Sequence, residues 1–144
     1  MSDVDDTRDR HHGCGLLVVD EHEEIRDLLR LSLSADGYKV AVVAGAREAL
    51  TYLRSTAETC VILLGMAAPT METTRFRAAQ LRDRSLAWIP VVLMSGGVDA
   101  AQRARAFRAA GFLRTPLDLD QVRDTLRRIG CARTQAIRAS NSYG

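Results

Sequence analysis

Lysine is almost absent from this chain. Of 20 basic residues among 144, only Lys39 is a lysine, so there is no Gly-x-x-x-x-Gly-Lys phosphate loop and nucleotide hydrolysis of that kind is excluded. Cysteine is scarce too. Cys14, Cys60 and Cys131 are odd in number and share no metal-ligand spacing, which argues against a disulfide framework and a zinc site. His11, His12 and Cys14 stand too close together in the chain to close around a metal ion, and Cys60, opening an apolar run, reads as a small core residue. Aromatic residues make up only 5%, and the basic stretches carry neither aromatic interleaving nor a nucleic-acid motif, so nucleic acid is not an expected partner. No apolar run approaches the roughly 20 residues that span a bilayer. The start, Met1-Ser2-Asp3-Val4-Asp5-Asp6, is acidic where a signal peptide is basic and then apolar. The expected location is the cytoplasm, without membrane contact.

What is present is an aliphatic interior: 47% of residues are hydrophobic, enough for one domain with a substantial core. Charge is unevenly spread although the net value is only +2. The first 24 residues carry eight acids against Arg8 and Arg10, whereas from residue 101 onward nine arginines face only Asp118, Asp120 and Asp124. That asymmetry favours a solvated basic surface able to attract an acidic partner.

Residues 1–13 are polar and without periodicity and read as a disordered arm, residues 14–130 as the domain, and 131–144 as a polar tail. Within the domain, short apolar runs alternate with helical patterns. Leu16-Leu17-Val18-Val19 is a strand. Ile25, Leu28, Leu29 and Leu33 then mark one face of a helix that stops near Asp36-Gly37. Tyr38 to Ala44, Cys60 to Leu64, Ile89 to Met94 and Gly111 to Arg114 predict four more strands. Helices are expected over Ala46 to Arg54, about Thr73 to Arg82 with Phe76 and Leu81 as apolar contacts, Val98 to Ala110, and Leu119 to Ile129 with Asp118 as N-cap. Five strands alternating with five helices imply an α/β fold: a doubly wound parallel sheet covered on both faces.

The third strand, Val61-Ile62-Leu63-Leu64-Gly65, ends on a glycine. In a parallel sheet, sites form beyond the carboxyl ends of the strands, which here gathers Asp20 and Glu21, Gly65, Ser95 and Arg114-Thr115-Pro116 on one edge. Val18-Val19-Asp20-Glu21, Leu63-Leu64-Gly65-Met66 with Pro69 four residues beyond the glycine, Pro90-Val91-Val92-Leu93-Met94-Ser95, and Gly111-Phe112-Leu113-Arg114-Thr115-Pro116 together resemble the receiver domain of two-component response regulators. The resemblance implies the flavodoxin-like strand order 2-1-3-4-5. It also implies a known chemistry: an aspartate ending strand three attacks a phosphoryl donor, an acidic pair after strand one helps hold Mg²⁺, and a lysine and a hydroxyl contact the phosphoryl oxygens.

Carried over residue by residue, Asp20 and Glu21 match the acidic pair, Ser95 the hydroxyl and Phe112 the aromatic whose rotamer reports the switch. The nucleophile position is Gly65 and the lysine position is Thr115. No catalytic residue is therefore expected, and the chain is not expected to be an enzyme. Asp20 and Glu21 with the Met66 carbonyl retain at most a weak Mg²⁺ site, since one anionic ligand is gone, and the pair is expected mainly to cap the first helix. Ser95-Gly96-Gly97 reads as a turn, or as N–H groups facing an anion. Arg114 is expected to point away from Thr115, to the other side of its strand.

These residues point to a degenerate pocket of Asp20, Glu21, Gly65, Met66, Ser95 and Thr115 in a pseudo-receiver that signals or scaffolds through protein contacts. The resemblance places those contacts, including a homodimer, on the fourth helix, fifth strand and fifth helix, with Arg103, Phe107, Arg108, Arg123 and Arg127 on that face. Two alternatives stand beside this reading: a sensor in which the space vacated at Gly65 admits an anion or small metabolite, and phosphorylation at Asp20.

Overall fold

The computed structural model describes residues 15–68 and 70–130. Five strands, β1 (Gly15–Val19), β2 (Lys39–Val43), β3 (Thr59–Gly65), β4 (Val91–Ser95) and β5 (Gly111–Arg114), form one sheet. All pairs are parallel and the order is β2-β1-β3-β4-β5. The helices are α1 (Glu23–Ala35), α2 (Ala46–Ser55), α3 (Met71–Arg82), α4 (Ala100–Ala106) and α5, which runs over 119–130 to the end of the described residues, with one extra helical turn at Arg84–Ala87. The doubly wound α/β architecture is the one expected from the alternation of elements. The arm 1–13, the tail 131–144, Cys14, Cys131 and Pro69 lie outside the described residues. Among the described residues no helix is long and apolar enough to cross a membrane.

Alternation along each strand divides the core into two layers. Leu16, Val18, Val61, Leu63, Val92, Met94 and Leu113 face α1 and α5, meeting Leu29, Leu33, Val122 and Leu126. Leu17, Val19, Ile62, Leu64, Val91 and Leu93 face α2, α3 and α4, meeting Ala49, Leu53, Phe76 and Ala104. Strands covered on both faces must be apolar throughout, which explains why β1, β3 and β4 read as unbroken aliphatic runs. Each fully buried leucine contributes about 1.5–3 kcal/mol.

Helix boundaries follow local hydrogen bonding. α3 begins at Met71, two residues before the expected Thr73, because Thr70 and Thr73 cap reciprocally: Thr73 N–H donates to Thr70 Oγ1 (3.1 Å) and Thr70 N–H to Thr73 Oγ1 (2.9 Å). α5 starts as expected, with Asp118 Oδ1 accepting from Asp120 N–H at 2.9 Å. α4 is only seven residues long, well short of the expected Val98 to Ala110.

One core expectation is overturned. Leu81, expected to pack inward, is 41% exposed, and Gln80 is fully buried in its stead. The buried amide is satisfied on every side. Its Nε2 donates to the carbonyls of Leu86 (3.0 Å) and Ile89 (2.9 Å), and its Oε1 accepts from Arg77 Nη1 (2.7 Å). Gln80 thereby ties α3 to the turn that feeds β4, a role that apolar periodicity does not reveal.

Replacing this amide by an apolar group of similar size removes a hydrogen-bond partner from the Leu86 and Ile89 carbonyls and from the Arg77 guanidinium. Gln80→Leu is expected to lower stability by about 2–4 kcal/mol in urea unfolding followed by circular dichroism.

Candidate functional site

Register decides what meets at the carboxyl edge of the sheet. Val19 pairs with Leu64, Gly65 with Met94 and Ser95 with Arg114. The residues just beyond are therefore neighbours: Asp20 lies against Gly65, Ser95 against Met66, and Thr115 against Gly96. A cavity of about 790 Å³ opens there, and Asp20, Glu21, Gly65, Met66, Ser95 and Thr115 all line it. Glu24 and Glu72 add two more carboxylates, and among the described residues no lysine or arginine belongs to the lining.

At position 65 the place of a Cβ atom is already taken. A Cβ atom at position 65 would come within 2.8 Å of Asp20 Cγ and closer still to Asp20 Oδ2. The Asp20 carboxylate thus rests on the Gly65 backbone, and any other residue at 65 requires it to swing away. The carboxylate occupies the position a Cβ on residue 65 would take, beside the cavity that Gly65, Ser95 and Thr115 line.

Asp20 is held in that pose by the chain that follows it. Its side chain is only 10% exposed. Oδ1 accepts from the His22 backbone N–H at 2.8 Å and lies 2.9 Å from His22 Nδ1, while the Asp20 carbonyl accepts from Arg26 Nη1 at 2.7 Å. The expected capping of the first helix takes a different form. His22 is the N-cap residue and makes no side-chain cap bond, so Asp20 fixes the cap residue and not the helix interior. Glu21 is exposed.

Ser95 is equally committed. Its hydroxyl donates to the Met66 carbonyl at 2.6 Å and accepts from Arg103 Nε at 3.1 Å, while Arg103 Nη2 donates to the Gly96 carbonyl at 2.8 Å. At the lysine position, Thr115 carries a short hydroxyl whose Oγ1 lies 2.6 Å from where a Cβ on Gly96 would stand. Arg114 points away from the cavity, as expected, and donates to the Gly97 carbonyl at 2.8 Å with its guanidinium 5.4 Å from the Phe112 ring centre. The glycine loop therefore offers carbonyls to arginines, where N–H groups facing an anion were the alternative to a plain turn.

The expected interaction face is rearranged. Arg103 turns inward to Ser95 and Gly96. Phe107 packs against the α2–α4 layer beneath the Arg77 guanidinium, 5.6 Å from its ring centre. Arg123 donates to Asp36 Oδ2 at 2.7 Å, joining α5 to the end of α1, and this bond holds the Arg123 pKa above its ordinary value. Arg108 and Arg127 remain exposed, as does Arg105. Long arginine side chains near backbone carbonyls bend toward them, which charge patterning alone does not disclose.

As a metal site the edge is incomplete. Gly65 supplies no side-chain oxygen, Asp20 Oδ1 is engaged by His22, and the Met66 carbonyl is engaged by Ser95. Among the described residues no group of three or more His, Cys, Asp or Glu side chains is arranged to hold a metal ion. The residues present therefore do not fit the Mg²⁺ site that the resemblance implied.

The His22 imidazole is held above the usual 6.5, first by its hydrogen bond to Asp20 and then by the Asp20 charge, with Glu21 and Glu24 adding and desolvation opposing. A raised folded value means that the stabilisation from this pair is complete below pH 6.5 and is lost as pH rises through the folded pKa. An NMR titration is expected to place the His22 midpoint above 6.5 and Asp20→Asn to bring it down. Gly65→Ala, which displaces the carboxylate, is expected to lower the same midpoint and to cost about 1–3 kcal/mol in thermal unfolding.

No curated protein matches the chain. Among solved structures it is similar to the chemotaxis response regulator CheY4 of Vibrio cholerae, at 24% identity and a TM-score of 0.70, covering 81% of this chain and 98% of that one. It is also similar to a putative response regulator from Chloroflexus aurantiacus, at 18% identity and a TM-score of 0.72, covering 81% and 96%. A third likeness is to the signal receiver domain of an HD domain-containing protein from Pseudomonas fluorescens, at 22% identity and a TM-score of 0.72, covering 85% and 98%. These likenesses establish the fold. The family model of the response regulator receiver domain matches residues 16–127, and the chain belongs to that family.

Proposed function

We propose that this receiver domain works without aspartyl phosphorylation, as a signalling or scaffold module acting through protein contacts. The observation that carries the reading is Gly65 lying beneath the Asp20 carboxylate. The position from which a receiver nucleophile attacks has no side chain, and the adjoining acid fills the space. Thr115 at the lysine position supports the same reading, because a hydroxyl there cannot neutralise an incoming phosphoryl group. So does Ser95, whose hydroxyl already has a donor and an acceptor partner. No enzymatic role and no resident cofactor is proposed.

The partner is a protein, and the exposed cations Arg105, Arg108 and Arg127 favour an acidic surface on it. A second copy of the chain meeting it through α4, β5 and α5 remains part of the proposal, with Arg103, Phe107 and Arg123 acting inside the fold. A location in the cytoplasm belongs to the same reading.

Incubation with acetyl phosphate and Mg²⁺ is expected to leave the intact mass and the oligomeric state unchanged. A stable phosphoryl adduct overturns the proposal, and its loss in Asp20→Asn would assign the adduct to Asp20.

A further inference from the structure

α4 is poorly equipped to hold its own place. It has seven residues, its buried side chains are only those of Ala100 and Ala104, and Asp99 at its N-cap makes no side-chain cap bond. Isolated helices shorter than about 12 residues are marginal in water, and alanines bury little apolar surface. The chain on either side is also unusual. Gly97 just before the helix has φ of 90° and Arg108 just after it has φ of 57°, the latter a costly conformation for a residue with a side chain.

Both ends of this segment are nevertheless gripped by guanidinium groups. At the start, Arg103 Nη2 donates to the Gly96 carbonyl (2.8 Å), Arg103 Nε to Ser95 Oγ (3.1 Å), and Arg114 Nη1 to the Gly97 carbonyl (2.8 Å). At the finish, Arg77 Nε donates to the Phe107 carbonyl (3.0 Å) and Arg77 Nη2 to the Arg108 carbonyl (2.7 Å). The third nitrogen of Arg77 is anchored on the buried Gln80 amide, so the grip is rigid at its base. Burial, and then the charge of Arg108, push the Arg77 pKa below its ordinary value. The three arginines stand on three elements: α3, α4 itself and β5.

We infer that Arg77, Arg103 and Arg114 are positioning residues that fasten α4 at both ends, and that these bonds, and not the helix's own packing, hold α4 against the sheet. Each bond joins a charged planar donor to a neutral carbonyl or hydroxyl, the stronger class of hydrogen bond. The Arg77 guanidinium on the Phe107 and Arg108 carbonyls also sits where helix-terminal carbonyls attract positive charge. Arg103 has a second consequence. The group that holds the start of α4 also holds the Ser95 hydroxyl, so helix and cavity rim form one hydrogen-bonded unit. This inference goes beyond the proposed function and is independent of whether the chain is phosphorylated.

Native-state hydrogen exchange on the whole chain tests it. Arg103→Gln and Arg114→Gln are expected to raise exchange of the amides from 96 to 104 by roughly tenfold or more, the scale of a lost charge-assisted bond. Arg77→Gln is expected to do the same from 104 to 110, with β1 and β3 amides left unchanged in the two former variants. Arg105→Gln, which alters an exposed cation on the same helix, is expected to change neither region. Unchanged exchange in Arg103→Gln, or an equal rise in Arg105→Gln, overturns the inference. Should a variant fail to fold, the Nε–H protons of the unaltered protein answer the same question. Those of Arg77 and Arg103 are expected to exchange more slowly than that of Arg105, and equal rates overturn the inference.

Discussion

The seat of β3 between β1 and β4 is the constraint on which the rest of the structure depends. β3 is the longest strand, buried from Thr59 to Leu64 and covered on both faces. A strand with neighbours on both edges and helices on both faces has no freedom to slip, because a shift of one residue would turn every side chain to the wrong layer. Its register with β1 brings Asp20 to Gly65, and its register with β4 brings Ser95 to Met66. The edge is thus assembled by the core, and each group there is placed before any local hydrogen bond is counted.

Within that frame the Asp20 carboxylate rests where a side chain on residue 65 would begin. Several carboxylates a few ångströms apart repel by a few kcal/mol per pair at an effective dielectric near 20, and a lysine among them offsets the repulsion. Here Gly65 and Thr115 are both uncharged, and Asp20 leans onto the bare backbone of Gly65. His22 then lies against Asp20 Oδ1, partly neutralising a group that the sheet has largely removed from water. The result is an edge in which Asp20 fits against Gly65 and Thr115 against Gly96.

Arginine takes over structural duties in this chain. Arg26 and Arg77 reach backbone carbonyls, Arg123 reaches Asp36, and Arg103 reaches both a carbonyl and the Ser95 hydroxyl. A planar fork with several donors suits this work better than an ammonium, which offers a single strongly hydrated charge. What reads along the chain as a basic surface is in part an internal set of braces. The consequence for partner binding is that the cationic face is narrower than the arginine count, resting on side chains such as Arg105, Arg108 and Arg127.

The five strands and the residues at their ends were legible in the sequence, because parallel strands covered on both faces must be apolar throughout and their ends are marked by Asp20, Gly65, Ser95 and Thr115, while the strand order was implied by the receiver resemblance. The capping by Asp118 was legible for a similar reason: it depends on a residue type at a fixed offset. The poses were not. That Asp20 lies against Gly65, that Gln80 goes inward while Leu81 goes out, and that Arg103 and Arg123 find partners within the domain all depend on how the chain folds back on itself. Arg77 meets Phe107 across 30 residues and Arg123 meets Asp36 across 87. Periodicity reports which face of an element is buried, and it is blind to which distant carbonyl a flexible polar side chain will find. The sequence by itself determined the alternation of strands and helices and the glycine at position 65; only the tertiary structure decided that the Asp20 carboxylate lies against it, because that depends on the register of the strands and on the donors they bring within reach.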